Sequence, residues 1–365
     1  MRKNKVASFF LKGLIVLLGA IIPLSVFQYR VDPYSFFRLQ NNGQIYVPIE
    51  RYQIPGLARN EEYDTVILGS SMIENFSEKY VSEKLGVKAI KLPINASYVT
   101  EQRMVLDMAE KYHEVKNVLW VVDYRTVDIH YGDVYEKEVA FPTYMYDENP
   151  VNDWKYLLNQ NNFFLSLKQL YMRKTGVNLH DYYVYDRETL NTWNWKRFSK
   201  DLIAEDYREL YYGRRDLYLK INNLDEEAAR QTIDKTVLDA AAKYPDTQFY
   251  LVFPPKPILW YKLLDQKGIL EKKLAVQQYL ISKAESYPNV KVFNFQNSYE
   301  ITENLDLYLD ITHYSQAGNK YMADAISEGR NQVDAVSFQS EAQALLTYVR
   351  SPKIESLAQD ILDGK

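Results

Sequence analysis

Three short apolar runs constrain this chain more than any other feature. Thr65-Val66-Ile67-Leu68, Val118-Leu119-Trp120-Val121-Val122 and Gln248-Phe249-Tyr250-Leu251-Val252-Phe253 lack the polar–apolar alternation of a strand with one wet face. Such runs suit strands covered on both faces, as in a parallel sheet. Segments of helical spacing separate them. Gly69-Ser70-Ser71 breaks the first run, and a helix is predicted from Ser77, as N-cap, to Leu85. Val87 to Leu92 reads as a strand, 93–97 as a turn and Val99 to Tyr112 as a helix. Later come a helix over 225–244, the strand over 248–253 halted by Pro254-Pro255-Lys256-Pro257, and a helix over 269–287. A strand from Val290 to Phe293 and a helix from Ser315 to Glu328 follow. The alternation predicts an α/β protein: a three-layer α/β/α arrangement around a central parallel sheet.

The front of the chain predicts a membrane anchor. Arg2, Lys3 and Lys5 precede Val6 to Phe27, an apolar stretch interrupted only by Lys12, Ser8 and Ser25. Roughly 20 residues suffice to cross a bilayer, and Lys12 can extend its ammonium to the headgroups. Basic residues ahead of the span predict a cytoplasmic N-terminus and an extracytoplasmic remainder. A cleaved signal peptide would also leave the remainder outside, but the exit Leu24-Ser25-Val26-Phe27-Gln28-Tyr29 has no small-x-small cleavage site. That favours a retained anchor. Residues 31–63 carry Pro33, Pro48 and Pro55 and read as an irregular connector to a domain at 64–330. Between 130 and 224 the pattern dissolves into Tyr, Trp, Asn and charge. It reads as an insertion that caps the sheet edge, not an independent domain, with helical pieces such as Trp154 to Lys174. The tail, 331–365, is partly helical.

Composition removes some classes of function. Cysteine is absent, which excludes disulfides and thiolate-held metals. A net charge of -4 gives no footprint for nucleic acid. The 32 tyrosines suit either a sugar-binding groove or half-buried packing, since the ring is apolar and its tip polar.

Chemistry concentrates at two distant places. Near the end, Asp310-Ile311-Thr312-His313 puts an acid and an imidazole three residues apart, just before a helix. Near the front, Ser70 and Ser71 follow the first strand. A serine, a base and a group orienting the base make a nucleophile. In open parallel sheets ligands gather at the carboxyl ends of strands. Ser70, Ser71, Asn95, Ser97, Asp123 and Lys256 all follow predicted strands, so one rim should hold them. Asp123 and Arg125 read as an ion pair or as substrate contacts. His113, His130 and His180 have no carboxylate at a telling spacing and read as structural or surface residues. No metal site and no cofactor are expected.

Gly69-Ser70-Ser71, Asn95-Ala96-Ser97 and Asp310-Ile311-Thr312-His313 resemble the three blocks of the SGNH (GDSL-type) hydrolases and acyltransferases. The similarity covers roughly 63–129 and 248–328. It is strongest to the membrane-anchored, extracytoplasmic branch that modifies cell-envelope polymers, by D-alanylation of lipoteichoic acid or O-acetylation of alginate-like polysaccharides. The resemblance implies Ser71 as nucleophile, in preference to Ser70, with His313 as base and Asp310 as its orienter. Two positions depart from the family. Its second block carries a glycine whose N–H helps to hold the oxyanion, and its third an asparagine with the same task. Here the turn over 95–97 has no glycine and the third strand ends at Asp123, which leaves Asn95 as a substitute donor.

The function implied is serine-dependent acyl transfer to a polysaccharide or teichoic-acid-like acceptor, with a membrane-bound O-acyltransferase as donor-side partner. An esterase or deacetylase would need the same three residues. A non-catalytic scaffold or polymer-binding module would explain the missing glycine and asparagine.

Overall fold

The computed structural model describes residues 2–40, 44–123, 130–134, 141–147, 149–177, 187–190, 192–193, 196–214 and 224–364, main chain only for 2–5. Arg125 and His180 lie outside the described residues. The chain divides into two compact units, one of residues 1–61 with 141–190 and the other of 62–140 with 191–365.

The second unit holds the expected sheet. Its strands are β1 (Thr65–Gly69), β2 (Ala89–Pro93), β3 (Asn117–Val121), β4 (Gln248–Phe253), β5 (Val290–Asn294) and β6 (Gln332–Val333), in the order β2-β1-β3-β4-β5-β6. The first five pair in parallel; β6 adds a two-residue antiparallel edge. Val66, Ile67, Leu68, Val118, Leu119, Trp120, Phe249, Leu251 and Val252 are all buried, which is why the runs show no polar–apolar alternation. The α/β class read from them holds. Gly69 ends β1 where a Cβ would stand 2.8 Å from Ile73 Cγ2, so a side chain there would push against the turn that follows.

Helix ends follow local chemistry. Ser77 Oγ accepts from the N–H of Tyr80 and caps Glu78–Leu85. The long helix expected over 225–244 runs as Glu226–Ile233, a π-helical turn Asp234–Leu238 and Asp239–Lys243. The prolines after β4 end the strand, and Ile258–Gln266 then forms a helix beyond them that the proline cluster hid. Five tyrosines, at 156, 207, 261, 308 and 314, are among the largest fully buried side chains, so packing claims a good part of this residue's abundance.

The first unit contains Arg2–Val31, a helix whose stretch Val6–Val31 is 26 residues long, apolar enough to cross a membrane and has none of its apolar window buried. At ~1.5 Å per residue it spans about 39 Å, against a hydrocarbon core of ~30 Å. The connector is not wholly irregular: Glu50–Asn60 is helical in spite of Pro55. Proline cannot donate to the carbonyl four residues back. That carbonyl, of Arg51, accepts from the Tyr146 hydroxyl at 2.9 Å instead. The hydroxyl comes from far along the chain, so the sequence could not show that the break is repaired. Part of the expected insertion, 141–190, groups with this unit, and the remainder from 191 onward groups with the sheet.

On the helix Val99–Tyr112, Glu110 accepts from Thr247 Oγ1 at 2.9 Å. Burial pushes its carboxyl up to about 7, against the opposing hydrogen bond. A raised carboxyl favours the protonated fold: its contribution is full below the ordinary carboxyl range and is lost as pH rises through about 7. Glu110→Gln keeps the acceptor for Thr247. We expect it to raise Tm relative to wild type at pH ~8 and to approach wild type at pH ~4 and below. Equal Tm differences at both pH values in differential scanning fluorimetry would show that Glu110 does not titrate as described.

Candidate active site

The rim of the sheet delivers the front half of the site. Ser70 follows β1 and leads into a single 3-10 turn, Ser71–Ile73. This turn lifts Ser71 off the strand while Met72 and Ile73 stay buried. The back half comes from a loop closed on itself. Tyr308 and Tyr314 form an isolated antiparallel bridge, with the N–H of Leu309 donating to His313 O at 2.9 Å and that of Ser315 to Leu307 O at 2.7 Å. The loop leads into Gln316–Ser327, which packs on the helix after β1: Asp324 accepts from Tyr80 Oη at 2.9 Å and pairs with Lys84 Nζ at 2.8 Å.

Asp310 organises the closed loop. Its Oδ1 accepts from the N–H groups of Thr312 and His313 and from Thr312 Oγ1, each at 2.8 Å. Its Oδ2 accepts from His313 Nδ1 at 2.6 Å. With that proton on Nδ1, Nε2 is left as the acceptor for Ser71 Oγ at 2.9 Å. Ser71, His313 and Asp310 therefore form one hydrogen-bonded chain across 242 residues of sequence separation. Burial alone would raise the Asp310 carboxyl. The charge and hydrogen bond of His313, with the two backbone N–H groups, hold it well below the usual carboxylate range.

The other rim residues take different places. Ser70 Oγ donates to Asp123 Oδ2 at 3.3 Å. Asp123 is buried, with Lys256 Nζ 3.9 Å away. The ammonium of Lys256, itself buried, also reaches Met72 Sδ at 3.1 Å and Thr312 O at 3.4 Å. It thus joins the loops after β1, β3 and β4 to the Asp310 loop. Asn95 is exposed and Ser97 is buried, its Oγ accepting from Gln102 Nε2 at 3.0 Å. Between them Ala96 has φ 56°, the left-handed region that glycine enters without cost. Of the histidines read as structural or surface residues, His113 has its ring centroid 4.3 Å from that of Tyr63, the planes tilted by 41°, and His130 is exposed.

One residue at the site carries no sequence signal. Trp193 meets the His313 ring edge-on, centroids 4.3 Å apart and planes at 84°. Its indole N–H donates to Glu74 Oε2, and its backbone N–H donates to Asn75 Oδ1 at 2.8 Å. Both partners lie on the turn after Ser71, so one tryptophan grips the serine's segment and the imidazole together. A half-buried tryptophan in an unpatterned, aromatic-rich stretch gives sequence reasoning nothing to select it by.

No protein-family model and no curated protein matches the chain. Among solved structures it is similar to one from Streptococcus pneumonia, provisionally named as a platelet activating factor, over 76% of this chain and 88% of that one, at 13% identity and a TM-score of 0.36. The chemistry of the site rests on its own geometry.

That geometry carries a stability signature. A carboxyl depressed in the fold contributes stability that is present above its unfolded pKa and lost as pH falls through its folded one. Asp310 is such a group. Asp310→Asn should therefore melt below wild type at neutral pH, with the gap closing progressively below about pH 4. A gap in Tm that stays constant across this range would contradict the depressed carboxyl.

Proposed function

We propose that this chain is a membrane-anchored serine acyl-transfer enzyme of the SGNH type. The observation that carries the reading is the chain Ser71 Oγ–His313 Nε2–Asp310, closed at 2.9 and 2.6 Å. Ser71 Oγ attacks an ester or thioester carbonyl while His313 Nε2 takes its proton. Asp310 holds the Nδ1 proton and steadies the imidazolium. The tetrahedral intermediate collapses, His313 returns the proton to the leaving alcohol or thiol, and the acyl group remains on Ser71. An acceptor hydroxyl then gives its proton to His313 and attacks the acyl-serine; the bond to Ser71 Oγ breaks, His313 returns the proton to Ser71 Oγ, and the new ester leaves.

The oxyanion needs donors. The N–H groups of Ser71 and Ala96 are our candidates, and the left-handed φ of Ala96 supports matching this turn to the family's glycine block. Asp123 is not one of the donors. It serves as acceptor for Ser70 and counter-charge for Lys256. The acceptor we propose is a hydroxyl on a cell-envelope polysaccharide or teichoic-acid-like polymer. The apolar N-terminal helix supports it by tethering the site to the membrane, where an O-acyltransferase partner would deliver the acyl group to an extracytoplasmic domain.

Intact-mass and peptide mapping of the full-length protein after incubation with an activated acetyl ester tests the chemistry. One acetyl group on Ser71 is expected, retained in Ser70→Ala and lost in Ser71→Ala. A folded wild type that never acylates would sink the proposal, and an acetyl group on Ser70 would overturn the assignment of the nucleophile. Supplying a glycerol-phosphate polymer separates the products: acetylated polymer supports transfer, whereas free acetate alone makes the protein an esterase.

Trp193 is a positioning residue in this scheme. Edge-on aromatic contacts contribute about 0.5–1.5 kcal/mol. Trp193→Ala should lower kcat by up to about tenfold, with KM little changed, and Trp193→Phe should restore most of it. Unchanged kcat in a folded Trp193→Ala protein would show that the imidazole holds its place without the indole.

A further inference from the structure

The helix Gln160–Thr175 of the first unit has one covered face of mixed polarity and, opposite it, an apolar face without cover. Asn162, Leu165, Ser166, Gln169 and Met172 are buried. Phe164, Leu167, Leu170 and Tyr171 are exposed at 51%, 44%, 40% and 50%. With ~3.6 residues per turn, these four fall within about one third of the helix circumference. Scattered exposed apolar residues are ordinary, but a contiguous stripe marks a binding surface. The ionic residues of the helix are Lys168, Arg173 and Lys174, with no acid among them. Just before it stands Trp154, 56% exposed.

The neighbour of this helix identifies what covers the stripe. The Phe27 ring lies 5.6 Å from that of Phe163. Gln28 Nε2 donates to Asn159 O at 3.2 Å, and Gln28 Oε1 accepts from Ser166 Oγ at 2.6 Å. The helix that carries the stripe is therefore fastened to the last turns of Val6–Val31, whose apolar window has no protein cover. Where that helix leaves hydrocarbon, the adjoining residues stand at the headgroups.

We propose that this face is an interfacial membrane-binding surface. The helix lies along the bilayer with Phe164, Leu167, Leu170 and Tyr171 at the boundary of headgroups and acyl chains. Lys168 and Lys174 meet anionic headgroups, and Trp154 adds an interfacial aromatic. The absence of any acid on the helix fits an anionic lipid surface. The inference rests on the N-terminal helix being an anchor and is independent of the serine chemistry.

The chain has no cysteine, so single cysteines report one position each. We would label Leu167→Cys and Leu170→Cys with a nitroxide in the full-length protein, in vesicles of phosphatidylcholine and phosphatidylglycerol. Leu17→Cys serves as the anchor control, and Val336→Cys, at a site 75% exposed, as the aqueous control. Melting curves confirm that each variant folds. The ratio of oxygen to nickel-chelate accessibility at positions 167 and 170 is expected to exceed that at 336 several-fold. Ratios equal to that at 336, with a lipid-buried label at 17, overturn the proposal and leave the anchor standing. A water-exposed label at 17 overturns both. Labels exposed in lipid vesicles but shielded in native membranes would assign the face to a protein partner and also overturn it.

Discussion

Parallel in-register pairing governs where everything else in the second unit arrives. Thr65 pairs with Ala89 on one side and Asn117 on the other, Asn117 with Gln248, and Phe249 with Val290. Strands that start level and have similar lengths also end level, so the turns after β1, β2, β3 and β4 emerge at one rim. The serine needs only one 3-10 turn to reach its partner because the strand has already placed it.

The imidazole is brought by different means. No strand carries it; a loop pinned by the bridge between Tyr308 and Tyr314 does. Asp310 satisfies two backbone N–H groups and one side-chain hydroxyl before it turns its other oxygen to His313. The carboxylate is thus a structural centre for its own turn as well as the orienter of the base. Lys256 adds a second tie, because a buried ammonium must find acceptors, and those it finds lie on the loops that have to meet.

What could be read from sequence follows from the range of the forces involved. Burial on both faces is written locally in β1, β3 and β4, as is the cap at Ser77, and those elements were legible. The spacing of Asp310 and His313 was legible because a carboxylate caps its own turn at that distance. Legibility ended where the deciding partner is remote. The helix Glu50–Asn60 survives its proline through Tyr146, Asp123 faces Lys256, and Trp193 reaches His313 from an unpatterned segment. The φ of Ala96 is equally silent, since alanine gives no sign of a left-handed turn. β6 is too short to leave a pattern.

The N-terminal helix does not stop at the point where it leaves the apolar stretch. It continues unbroken to Val31, with Gln28 already hydrogen-bonded into the first unit. Flexible linkers let a tethered body swivel. Here no such joint exists between helix and unit, so the pair behaves as a mast set in its step. If the helix is the anchor proposed above, any tilt or axial rotation that bilayer thickness imposes on it would pass to the first unit as rigid rotation. Lipid composition would then be a mechanical input, setting the heading of that unit.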